Sequence, residues 1–74
     1  MVKVALFHTE GCHLCEMALA MLADIPAAVE LRDVVEDSAL MAAYQFTIPV
    51  VQRLDTGAEL GWPFTSQQLE EFLD

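Results

Sequence analysis

Positive charge is what this 74-residue chain has least of: three Lys and Arg stand against twelve Asp and Glu, a formal net charge of −9. Nucleic acid is thereby excluded as a partner, because it needs clustered cations to neutralise its phosphates, and an anionic membrane surface is disfavoured too. The imbalance keeps the chain soluble and favours neutral or basic partners. No apolar run approaches the ~20 residues of a membrane span. Linkers, repeats and low-complexity stretches are absent, so 1–74 reads as one domain, expected to be a monomer. Met1 to Phe7 is too short for a targeting segment and lacks a basic start before a long apolar stretch, so a cytoplasmic location is expected. Two cysteines are too few for a disulfide scaffold. Apolar residues, at 55%, are plentiful. A domain of this size buries only about 60% of its unfolded surface, so little apolar sequence can be left outside the core.

The pattern divides into seven elements. Val2 to Phe7 is apolar on both faces, as a central strand covered on both sides would be, and Thr9-Glu10-Gly11 breaks it. Cys12 to Ala23 reads as a helix with Leu14, Ala18, Met21 and Leu22 at helical spacing and Cys15 and Leu19 beside them; Asp24-Ile25-Pro26 ends it. Ala28 to Arg32 alternates, Val29 and Leu31 against Glu30 and Arg32, which predicts a strand near an edge. Glu36-Asp37-Ser38 can cap a second helix whose buried stripe is Leu40, Met41 and Tyr44. Pro49 to Leu54 and Ala58 to Gly61 read as strands joined through Asp55-Thr56-Gly57, a three-residue hairpin loop with glycine in the left-handed position. Thr65 with Gln68 fits a capping box that opens a last helix, with Leu69, Phe72 and Leu73 on its apolar side. The order βαβαββα predicts an α/β fold. A right-handed crossover makes the first two strands parallel, and the hairpin completes a four-stranded mixed sheet with helices on both faces.

Cys12-His13-Leu14-Cys15 falls where the first strand turns into the first helix. Positions i and i+3 share a helix face, so the two sulfurs can bond. Cys12 lies at the helix start, where free N–H groups and the positive dipole end favour a thiolate. A moderate depression from the ordinary ~8.5 is expected, with Glu10 and Glu16 opposing it. Cys12 is then the attacking sulfur and Cys15, one turn inside, the buried resolving thiol. His13 can tune the leaving sulfur or contact a substrate. The same spacing serves metals. Haem attachment requires His at position 16, which is Glu. Tetrahedral zinc needs four ligands, and only His8 and His13 could join the cysteines. Small copper carriers place C-x-x-C after their first strand but follow a βαββαβ order, so no metal is expected.

A second marker, Thr47-Ile48-Pro49, precedes the third strand. With the cysteine pair it resembles the thioredoxin superfamily, glutaredoxins most of all. Phe7 to Glu16, Ile48-Pro49-Val50-Val51 and Trp62-Pro63-Phe64 look like a branch of small glutaredoxin-like proteins. The resemblance spans Val2 to Leu73 and implies a thioredoxin-like, glutaredoxin-type fold. It further implies a cis Pro49 facing the cysteines, and Thr47-Ile48-Pro49 as a substrate-binding loop in which Ile48 offers backbone groups. The implied activity is thiol–disulfide exchange on a disulfide-containing protein or small thiol, with no resident cofactor and glutathione as a possible co-substrate. The alternatives are a binding or redox-sensing module on the same fold, or a soft-metal carrier. Thr9 stands where glutaredoxins usually carry a lysine. His13-Leu14 replaces their Pro-Tyr or Pro-Phe. Gly61 to Thr65 replaces their Gly-Gly…Asp stretch. Of the few bases, Arg32 and Arg53 can pair with an acid or hold a carboxylate. Trp62 and Phe64 fit core packing better than a groove near Ile48, and His8 reads as packing or surface.

Overall fold

The central strand β1 (Val2–His8) organises the molecule. A computed structural model describes residues 1–74. Along the chain β1 is followed by α1 (His13–Ala23), β2 (Ala27–Asp33), a single 3₁₀ turn (Val34–Glu36), α2 (Ser38–Tyr44), β3 (Val50–Arg53), β4 (Glu59–Gly61) and α3 (Ser66–Leu73). The sheet order is β2-β1-β3-β4. β2 runs parallel to β1, with Val4 opposite Val29 and His8 opposite Asp33. β3 is antiparallel to β1, with Phe7 opposite Val50, and β4 is antiparallel to β3.

Side chains of a strand alternate between faces, and β1 divides two cores in this way. Val4 and Leu6 join Ala18 and Leu22 of α1, Val51 of β3, and Phe64, Leu69 and Leu73 in the larger core. Ala5 and Phe7 join Val34 and Val50 in the smaller one, beneath Leu40, Met41 and Tyr44 of α2. α1 and α3 therefore cover one face and α2 the other. All four residues Val4 to Phe7 are 2% exposed or less, as a strand covered on both sides requires.

Local chemistry sets the element ends. Asp37 Oδ1 accepts the Ala39 and Leu40 N–H groups at 2.8 and 3.3 Å and opens α2. Thr65 and Gln68 exchange side-chain-to-backbone bonds at 2.8 and 3.1 Å and open α3. Arg53 grips Asp55 with two bonds of 3.0 and 2.7 Å and donates to the carbonyls of Phe72 and Asp74 at 2.9 and 3.2 Å. It thus satisfies carbonyls at the end of α3 that have no partner within the helix.

The structure departs from the pattern in several places. α1 starts at His13, with Cys12 as its N-cap. The 3₁₀ turn precedes α2, because Asp33 caps the Val35 N–H at 3.0 Å. α2 has no fully buried residue; its Leu40, Met41 and Tyr44 are half-covered, since only one edge of so short a helix reaches the sheet. The hairpin connection is longer than three residues. Gly57 N donates to Arg53 O, and Arg53 N to Ala58 O, each at 2.8 Å. Gly57 nevertheless has φ +80, a conformation that costs glycine nothing for want of a Cβ. Leu31 is 51% exposed, because β2 lies at the sheet edge.

Candidate functional site

The site is built on the end of β1. Beyond His8 the chain turns through Thr9, Glu10 and Gly11. Gly11 has φ +75, which glycine alone adopts without penalty, and the turn is closed by the Cys12 N–H donating to Thr9 O at 3.4 Å. Cys12 follows in extended conformation as the N-cap of α1, a position usually held by Ser, Thr, Asp or Asn. Its sulfur takes the oxygen's role, accepting the Cys15 N–H at 3.2 Å, while its carbonyl accepts the Glu16 N–H at 3.1 Å. The two sulfurs are bonded, across a Cα–Cα distance of 5.2 Å. Cys12 is half-buried and Cys15 is 4% exposed. The two sulfurs thus differ in access, Cys12 being the more open.

Thr47, Ile48 and Pro49 approach the same end of the sheet. The β1–β3 register, continued one step from Phe7–Val50, brings Pro49 level with His8. The Ile48–Pro49 peptide is cis, as is Trp62–Pro63, which the sequence pattern does not signal. Trp62 N donates to Pro49 O at 3.1 Å. Thr47 is exposed, Ile48 half-buried and Pro49 buried. The loop is hung from one atom: the Tyr44 carbonyl accepts the Thr47 N–H at 2.9 Å, the Ile48 N–H at 3.2 Å and the Thr47 hydroxyl at 3.3 Å. The Ile48 N–H is therefore engaged within the protein. Tyr44 is itself anchored. Its ring stacks on Phe7 with centroids 4.4 Å apart, and its hydroxyl donates to Glu59 at 2.7 Å. That bond, helped by partial burial, raises its pKa above the ordinary 10.0.

His13 lies apart from these groups. Its ring is exposed on the first turn of α1, with Nδ1 3.6 Å from Glu16 Oε2, and surface pairs of this kind contribute little. Phe64 belongs to the larger core and half-buried Trp62 packs against it, the two rings edge to face at 5.1 Å. Arg32 pairs with Glu30 at 3.0 Å, and Arg53 holds α3, so neither arginine serves the cysteines.

A cavity of about 390 Å³ opens beside the disulfide, on the β2 side of α1, with both cysteines in its wall. Leu19 and Leu31 form its apolar side, Glu10 and Glu16 contribute carboxylates, and no Lys or Arg lines it. In the sequence pattern Leu19 lies beside the helix's inner face and the two acids are charges flanking the cysteines. The signal that was available is Leu31, an apolar residue on an edge strand with no helix left to cover it.

The profile described as Glutaredoxin-like domain (DUF836) matches residues 3–74. The chain belongs to this glutaredoxin-like family. An X-ray structure of the Northeast Structural Genomics target protein XcR50 from X. campestris superposes with a TM-score of 0.89 at 35% identity, over 96% of this chain and 95% of that one. The solution structure of the same target gives 0.85 at 35% identity, over 100% and 94%. A mutant thioredoxin from Halobacterium salinarum NRC-1 gives 0.74 at 25% identity, over 97% of this chain and 71% of that one. No curated protein matches. This glutaredoxin-like chain therefore has the α/β thioredoxin-like fold, and its C-x-x-C pair occupies the helix-start position within it. No helix is long and apolar enough to cross a membrane.

Proposed function

We propose that this glutaredoxin-like protein is a thiol–disulfide oxidoreductase acting on protein or small-molecule disulfides. The observation that carries the proposal is the N-cap sulfur. Cys12 Sγ receives the Cys15 N–H at 3.2 Å at a helix end whose unpaired N–H groups favour negative charge. A thiolate at this position is stabilised by the same groups.

In the reduced protein the Cys12 thiolate attacks one sulfur of the substrate disulfide. The S–S bond breaks, the distal sulfur leaves as a thiolate that takes up a proton, and a Cys12–substrate disulfide forms. Cys15 gives up its proton and attacks Cys12 Sγ, and the second substrate sulfur departs. Two electrons pass to the substrate, and the Cys12–Cys15 bond is what remains. A small dithiol or a thiol such as glutathione restores the pair. The Ile48 carbonyl before cis Pro49 accepts an N–H from the substrate backbone and holds it in extended form; exposed Thr47 adjoins it in the same loop, and exposed His13, on the first turn of α1, meets the substrate from the cysteine side. The chemistry uses no resident cofactor, and the reducing cytoplasm suits it.

The test is a Cys15→Ser variant, which leaves Cys12 without its resolving partner. Incubated with a disulfide, it should accumulate one adduct on Cys12, visible by mass spectrometry and released by dithiothreitol. A Cys12 that forms no adduct while the unfolded chain does would return the domain to the reading of a binding or redox-sensing module.

A further inference from the structure

We propose that the cavity between α1 and β2 selects polypeptide disulfides that carry Lys or Arg on one side of the cystine and an aliphatic side chain on the other. This rests on the oxidoreductase reading and names its substrate class.

Three observations converge on the cavity. It holds about 390 Å³, within the roughly 300–1,000 Å³ of clefts that enclose small ligands or side chains, and the disulfide is part of its wall. Its apolar side is uncovered: Leu19 is 40% and Leu31 51% exposed, and the two share the wall that holds the disulfide. Its permanent charge has one sign, since Glu10 and Glu16 line it, with His8 as the one basic side chain and no Lys or Arg. The nearest arginine in sequence to Leu31, Arg32, is taken by Glu30 at 3.0 Å.

A cation beside the attacked sulfur meets both carboxylates, and an aliphatic neighbour lies against Leu19 and Leu31. Glutathione disulfide, which is anionic, meets the same carboxylates as repulsion. The step is the exchange already described: Cys12–Cys15 is oxidised to its disulfide as the peptide disulfide is reduced to two thiols, so a single turnover of pre-reduced protein needs no other reductant.

The test compares two blocked symmetric peptide disulfides, Ac-Leu-Cys-Lys-amide and Ac-Leu-Cys-Glu-amide, as single-turnover oxidants of pre-reduced protein. Each rate is divided by that peptide's rate with free dithiothreitol, which removes intrinsic reactivity. Rates for each variant are also divided by its iodoacetamide alkylation rate, which removes changes in thiolate content. The Lys peptide should react about tenfold faster than the Glu peptide, a preference of electrostatic origin that falls with added salt. A Glu10→Gln/Glu16→Gln double variant should lose most of the ratio. Glu70→Gln/Glu71→Gln, an equal change of net charge on α3, should keep it. Leu31→Ser should slow the Lys peptide severalfold relative to cystamine, which has no aliphatic neighbour. A normalised ratio near one, or a ratio unchanged in the Glu10/Glu16 variant, overturns this assignment while leaving the oxidoreductase reading intact. No turnover with any disulfide overturns both.

Discussion

Reducing the Cys12–Cys15 bond should leave the protein folded, and the size of the effect can be worked out. The bond closes a loop of only four residues. Chain-entropy reasoning gives about 6 cal/mol/K for so small a loop, or about 1.9 kcal/mol at 25 °C. A 74-residue domain has a total stability of about 4–11 kcal/mol at the usual value per residue. The freed Cys12 sulfur keeps its N-cap position, and a thiolate there gains about 0.3–1 kcal/mol from the helix end, so the net loss falls below about 2 kcal/mol. The assay is urea unfolding followed by circular dichroism, with and without excess dithiothreitol, beside a Cys12→Ser/Cys15→Ser variant. With a slope near ~1 kcal/mol/M for a chain this small, the midpoint should drop by less than about 2 M. Unfolding on reduction, or a loss above about 4 kcal/mol, would make the bond a structural staple and refute the argument that both redox states are working states.

Three further expectations are independent of the chemistry. Leu22, 1% exposed in the larger core, seats α1 on the sheet, and Leu22→Ala should cost about 2–5 kcal/mol in urea unfolding; a loss under about 1 kcal/mol would mean that α1 is not held there. Thr65→Ala removes one half of the capping box, which should cost about 1 kcal/mol and lower the melting temperature by about 4–8 °C. The Tyr44 pKa is raised by its bond to Glu59 and by burial, so the folded protein holds this proton more tightly than the unfolded chain. The resulting stability is complete below the ordinary value of 10.0 and is lost as pH climbs through the folded value. Wild type should therefore exceed Tyr44→Phe in urea midpoint at pH 8, and the gap should close above pH 10.0.

The fold was legible because β1, the capping box and the C-x-x-C each declare themselves locally. An apolar strand with no polar face has to lie between two layers, and Val4 to Phe7 do. A sulfur at the junction of strand and helix has to be near a helix start, and Cys12 is. The less legible features are set by tertiary neighbours. Leu31 and Val29 share one alternation, yet Val29 packs against the larger core while Leu31, beside the first turns of α1, faces the open cavity. The Tyr44 carbonyl carries no side-chain signature, so nothing in the residue types indicates that it suspends the 47–48 loop. Arg53 reads as a cation able to pair with an acid, and it does so with Asp55; its other partners, at the C-terminal end of α3, lie nineteen to twenty-one residues on.

That last contact fixes an orientation. Arg53 stands opposite Val4, four residues and about 13 Å along β1 from His8, so the C-terminal end of α3 is moored at the pole away from the sulfurs. A tether attached after Asp74 would present the dithiol outward in a uniform pose on a bead or electrode, while one joined ahead of Met1 would start from the same pole.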